Sequence, residues 1–208
     1  TLEEKEIPVK PSAADFSILD LEKPAVSDFD NKSNALEQAL TNSGIYDHVK
    51  TKGALKEVAN FGALQLNSDF RVARLGNPFN DAETSFFHKS IGGYHGAKLK
   101  RIQEVIDFHL AEELDSALAY LQAGTFDSLG ESLSMLNMLN TKYVIQQGED
   151  GKLRANRNPS AMGNAWFVNE VRLAPDRHPG RLVNWSVMDA RRGQITMVNP
   201  SKTREGSW

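Results

Sequence analysis

SLGESLSMLNMLNTKYVIQQ, Ser128 to Gln147, changes its hydrophobic period part-way along. Leu133, Met135, Leu136, Met138 and Leu139 have helical spacing and read as core, with the methionines as adaptable filling rather than a hydrophobic ligand site. Tyr143, Val144 and Ile145 then form a β-prone run, the mark of a strand. Asn140 stands between the two and suits the left-handed position that ends a helix.

Downstream of that strand, GEDGKLRANRNPSAMG (148–163) is a polar, hairpin-like excursion, and NAWFVNEVRL (164–173) returns as a strand. Upstream, the region between Gly93 and Gly124 carries the strongest helical pattern in the chain. Leu99, Ile102, Val105, Ile106, Leu110, Leu114, Leu118 and Leu121 recur at three- and four-residue steps. That stripe faces a core and leaves Lys100, Arg101, Glu104, Glu112 and Glu113 in water. DFRVARLG (69–76) reads as a strand ended by Gly76, followed directly by the loop GNPFNDAETS (76–85).

Nearer the start, Pro11 and Ser12 open a short helix that Pro24 ends. Ser33 or Asn34 suits the cap of a second helix, with Gly44 as its stop. A third helical piece, TKGALKEVANFGALQLN (51–67), is interrupted by Gly53 and Gly62 and is expected to be broken. Residues 31–67 have the look of a helical insertion. Helices outweigh strands and no regular βαβ repeat exists, so the predicted fold is α+β, with several helices packed on a small mixed or antiparallel sheet.

Composition narrows the chemistry. The chain has 208 residues, no cysteine and a formal net charge of -3. Disulfides, thiolate nucleophiles and cysteine metal sites are excluded, and no bulk charge draws the chain to nucleic acid. Its first residues, TLEEKEIPVKP, include no initiator methionine and no signal-peptide core, so a fragment or processed product is expected.

The most chemically suggestive stretch is FFHKSIGGYHGAKLKRIQEVIDFHL (86–110). Gly92, Gly93 and Gly96 precede a long helix, so their amides could hold a phosphate or carboxylate with help from Tyr94, His95 and Lys98 or Lys100. A tight turn with close backbone packing explains the same glycines, and the spacing fits neither a P-loop nor a dinucleotide fingerprint. His88 and His95 could meet at a metal with Asp81 or Glu83, but no known ligand spacing is matched, and no metal or other cofactor is expected. Ser85 or Ser90 with His88 or His95 and Asp81 lacks a nucleophile-elbow pattern, and no catalytic residue is assigned. Tyr94, Trp166 and Trp185 offer a sugar-stacking surface as the alternative to burial.

Four segments in order, PSAADFSILD (11–20), FRVARLGNPFNDAETSFFHKSIGGYHGAKLKRIQEVI (70–106), LSMLNMLNTKYVI (133–145) and NPSAMGNAWFVNEV (158–171), resemble the soluble portion of YfhO-type bacterial membrane proteins, especially those of Bacteroidetes. The likeness covers most of the region from Pro11 to Leu173, with the helical piece 31–67 as a variable insertion. It implies a single soluble domain, 1–208, excised from a large multi-spanning membrane protein similar to polyprenyl-phosphate-sugar-dependent glycosyltransferases. On that resemblance the domain lies on the extracytoplasmic, periplasmic side of the inner membrane and packs on transmembrane helices outside this chain. It would help position a lipid-linked sugar or glycan acceptor and would not transfer sugar itself. The arginine-rich tail, 176–208, departs from the family wording, though LVNWSV (182–187) and QITMV (194–198) still suit strands. A free-standing enzyme that binds a phosphorylated small molecule at Gly92 to Lys98, or a carbohydrate- or protein-interaction module, are the alternatives.

Overall fold

The computed structural model describes residues 9–44, 52–76, 78–80, 82–93, 99–125 and 132–165, together with the backbone of 170–174, 187–189 and 194–198. These residues divide into two compact units. One takes those up to 96 and from 140 to 158; the other takes 97–139 and those from 159 onward.

In the first unit, helix α1 (Ala13–Glu22) starts where Ser12 caps it with an extended backbone, φ -84° and ψ 171°. The Ser12 hydroxyl and backbone N–H both donate to Asp15 Oδ2 at 2.7 Å, while the Asp15 N–H donates back to Ser12 Oγ at 3.4 Å. This reciprocal box satisfies donors that a helix start otherwise leaves open. Pro24 then turns the chain through a short 3₁₀ segment, Lys23–Ala25, as its missing N–H requires.

Helices α2 (Phe29–Ser43) and α3 (Lys52–Asn67) pack together. Helix α2 begins ahead of the expected cap, after Asp28 with φ 56°. Ser33 is instead buried inside the helix, where its hydroxyl donates to Asn60 Oδ1 on α3 at 2.6 Å. A serine that finds a partner on a neighbouring helix has no need to serve as a cap. Gly44 ends α2 as expected, with φ 67°. Helix α3 is continuous through Gly62 rather than broken there, and a Cβ at that position would lie 2.5 Å from Leu36 Cδ2. The glycine lets the two helices approach closely. Phe29, Phe61, Ala63 and Leu64 from this pair share one core with Ala14, Ile18 and Leu19 of α1, so residues of 31–67 supply the centre of the unit.

Strand β1 (Arg71–Arg74) runs parallel to β2 (Thr141–Gln147), which pairs antiparallel with β3 (Leu153–Arg157). Val72 lies opposite Tyr143 and Arg74 opposite Ile145. Val72, Tyr143 and Ile145 join the helical core, with Leu153 and Ala155 of β3 packed against it. Short helix α4 (Glu83–Phe87) adds Phe87, whose ring lies 4.9 Å from Phe61. β1 and β2 are sheet neighbours although residues 75–140 separate them in sequence. Asn140, with φ 54°, has the expected left-handed backbone. It accepts the Arg71 N–H at 2.8 Å and donates from Nδ2 to the Asp69 carbonyl at 3.0 Å, which starts β2 in register with β1.

In the second unit the long helical pattern becomes α5 (Lys100–Val105), one π-helical turn (Ile106–Leu110) and α6 (Ala111–Gln122). The π turn is marked by the Ala111 N–H donating to the Ile106 carbonyl. Ile106, Leu110, Leu114 and Ala117 are buried, but Leu99 and Ile102 are 69% and 51% exposed. A five-residue helix, α7 (Ser134–Met138), precedes Asn140. Backbone strands β4 (Glu170–Ala174), β5 (Val187–Asp189) and β6 (Gln194–Val198) form a sheet in the order β4-β6-β5, with β4 parallel and β5 antiparallel to β6. β6 occupies the expected QITMV, and β5 overlaps LVNWSV only at Val187.

The fold is therefore α+β, with helices on a small mixed sheet. Among the described residues, no helix is long and apolar enough to cross a membrane.

Candidate functional site

Gly92 and Gly93 form a tight turn against Pro78. A Cβ at Gly92 would lie 2.0 Å from the Pro78 carbonyl oxygen, and Gly93 has φ 125°, which favours glycine. The Gly92 N–H donates to Ser90 Oγ at 2.9 Å, and the Gly93 N–H donates to the Pro78 carbonyl at 2.8 Å. Both amides thus close the turn. Tyr94, His95, Gly96 and Lys98, the rest of the expected anion cradle, lie outside the described residues.

The other side chains singled out in this stretch separate in space. His88 is 2% exposed, and its Nε2 lies 3.1 Å from Asp15 Oδ1 across 73 positions of sequence. Phe61 meets the imidazole edge-on, with centroids 5.7 Å apart. Glu83 pairs with Arg74. The Ser85 hydroxyl donates to the Ala82 carbonyl at 2.6 Å, and Ser90 accepts from Gly92. Asp81 and His95 lie outside the described residues, as do Trp166 and Trp185. No three His, Asp or Glu side chains gather as a metal site among the described residues.

A small, solvent-open cleft of about 30 Å³ opens beside the buried pair. Ser12 and Asp15 at the start of α1, Arg74 at the end of β1, and Glu83 and Thr84 on α4 supply its polar lining together with Lys10. Phe87, Ile145 and Leu153 give it an apolar floor. Burial opposes ionisation of Asp15, but hydrogen bonds from His88 and Ser12, with the His88 charge, outweigh it and hold the carboxyl below its ordinary value. Sequence spacing could have exposed half of this arrangement. Ser12-x-x-Asp15 ahead of an apolar run is a capping signature. The partnership with His88 is tertiary, and nothing local announces it.

A second buried carboxylate network lies in the same unit. The Tyr143 hydroxyl donates to Glu22 Oε1 at 2.5 Å, and Lys142 Nζ reaches the same oxygen at 2.6 Å. Burial, then the bond to Glu22 and its charge, push the Tyr143 phenol well above its ordinary value. This arrangement ties the end of α1 to β2.

The second unit holds a different device. Glu113 on α6, expected in solvent, instead accepts the Met135 and Leu136 N–H groups at 2.8 and 2.9 Å. Those are amides at the start of α7, which lacks a side-chain cap of its own. Burial pushes the Glu113 carboxyl up; the two N–H bonds offset this only in part, and neighbouring Glu112 adds to the rise.

Comparison with known protein families, characterised proteins and solved structures finds no match for this chain.

Proposed function

We propose that this chain is an extracytoplasmic domain of a multi-spanning membrane protein resembling the glycosyltransferases of cell-envelope glycan modification. In this reading the domain packs on the transmembrane part of its parent and positions a glycan acceptor or lipid-linked sugar. The transfer chemistry belongs to the parent.

What supports the reading is the ordered likeness of four segments to YfhO-type proteins, and one observation about how those segments meet. Asp15 of the first bonds His88 of the second. Val72 of the second pairs with Tyr143 of the third. Asn158, which opens the fourth, donates from Nδ2 to the Thr141 carbonyl of the third at 3.0 Å. The residues of these segments that belong to the first unit thus contact one another there.

The test uses the native full-length protein in bacterial cells. Protease added to intact spheroplasts is expected to cut this domain without membrane lysis, and washed membranes are expected to retain the protein. Recovery of the whole protein in the soluble fraction, or protection of the domain until lysis, would overturn the proposal.

A further inference from the structure

We propose that the first turn of α5 docks on an anionic lipid surface, with Leu99 and Ile102 entering the interface and Lys100 and Arg101 meeting the headgroups. The apolar row to which Ile102 belongs runs off the end of its core. Ile106, one turn further along, is 7% exposed, whereas Ile102 is 51% and Leu99 69% exposed. At helical steps of about 100° per residue, Leu99 and Ile102 stand roughly 60° apart, and Lys100 and Arg101 fall one on each side of them. All four are exposed.

The two cations are uncommitted. Neither Lys100 nor Arg101 takes an ion pair or a side-chain hydrogen bond among the described residues. The acidic side chains that follow on the same helix are placed elsewhere: Glu104 is half-buried, and Asp107 accepts from Gln103 Nε2 at 2.7 Å. From Ala97 to Gln103 the sequence has no acidic residue and one further cation, Lys98. A Lys or Arg stem lies along apolar surface while its charged end reaches the polar side. Two cations flanking two aliphatic side chains therefore suit the boundary between acyl chains and anionic headgroups. A protein partner fits less well. Stable protein interfaces take about 800 Å² from each side and are poor in lysine, and two aliphatic side chains cover only a fraction of that area. Weak, reversible attachment to lipid needs only a few buried apolar groups and the attraction of anionic headgroups. The contact lies within this chain and needs no transmembrane part, so it stands or falls separately from the extracytoplasmic reading.

The experiment is flotation of the whole chain with vesicles of equimolar phosphatidylglycerol and phosphatidylcholine, with pure phosphatidylcholine vesicles beside them. The chain is expected to float with the anionic vesicles, to stay behind with the neutral ones, and to be released by high salt. Lys100→Gln with Arg101→Gln is expected to weaken binding about 25-fold, at about five-fold for each cation. Leu99→Ser with Ile102→Ser is expected to weaken it by about ten-fold or more. Both pairs are exposed, so the circular dichroism spectrum and thermal midpoint of each double variant are expected to match the parent. No flotation with anionic vesicles would overturn the proposal. So would equal binding to neutral vesicles, or full binding by either double variant. A concentration-dependent dimer that Leu99→Ser dissolves, in a chain that ignores vesicles, would give the face to a second copy instead.

Discussion

Asp15 in the first unit and Glu113 in the second each bring a carboxylate to backbone N–H groups at a helix boundary. Asp15 takes the Ser12 N–H at 2.7 Å, and Glu113 takes those of Met135 and Leu136 at 2.8 and 2.9 Å. Both are largely buried. They differ in what else is near. At Asp15 burial is outweighed by hydrogen bonds from His88 and Ser12, and its carboxyl is held down; at Glu113 burial prevails over the amide bonds, Glu112 adds a little to the rise, and its carboxyl is pushed up. Two similar backbone contacts therefore accompany opposite titration behaviour, because at Asp15 side-chain hydrogen bonds from His88 and Ser12 add to the amide bond and outweigh burial, whereas at Glu113 burial outweighs two amide bonds.

Removing each side chain sharpens the contrast. Asp15→Ala removes the carboxylate half of the capping box of α1 and leaves His88 buried without its partner, so a loss of about 3–5 kcal/mol is expected in chemical denaturation. Glu113→Ala leaves two amides of α7 without an acceptor but also removes an unfavourably buried charge. Its expected cost is smaller, about 1–3 kcal/mol. If Glu113→Ala proved the more damaging, the contrast would be wrong.

Acid should separate them further. A carboxyl whose folded value lies below the unfolded one contributes stability above the unfolded value, and this is lost as pH falls through the folded value. Asp15 therefore stops contributing on acidification below its ordinary 3.8. Glu113 has the reverse sign: its contribution is complete below the ordinary 4.5 and fades as pH climbs through its raised folded value. Stability curves of Asp15→Asn should lose the acid-side fall, and those of Glu113→Gln should lose the decline above pH 4.5. The smallest effect belongs to Glu113→Gln near neutral pH. There the amide oxygen still accepts from α7 and the buried charge is gone, so a net change under about 1 kcal/mol is expected.

Much of the fold was legible where the signal is local. Asn140 at φ 54°, the strand at Arg71–Arg74 and the strand at Gln194–Val198 lie where residue type and pattern put them. β3 was harder to see because Arg154, Asn156 and Arg157 mask the alternation of Leu153 and Ala155, the residues that touch the core. Leu99 and Ile102, read as members of one buried stripe, are exposed although Ile106, Leu110 and Leu114 are buried. The site was less legible for a different reason. Gly92 and Gly93 announced a tight turn, and they form one, but the cleft depends on Asp15, Arg74 and Thr84 meeting from three elements. Glu113 looked like any glutamate on a wet helix face because its partners are backbone groups more than 20 residues away.

The most direct measurement is a carboxyl carbon NMR titration of the intact chain that follows Asp15 and Glu113 in one experiment. The account predicts that Asp15 titrates below 3.8 and Glu113 above 4.5. Both on the same side of their ordinary values, or the two reversed, would contradict it.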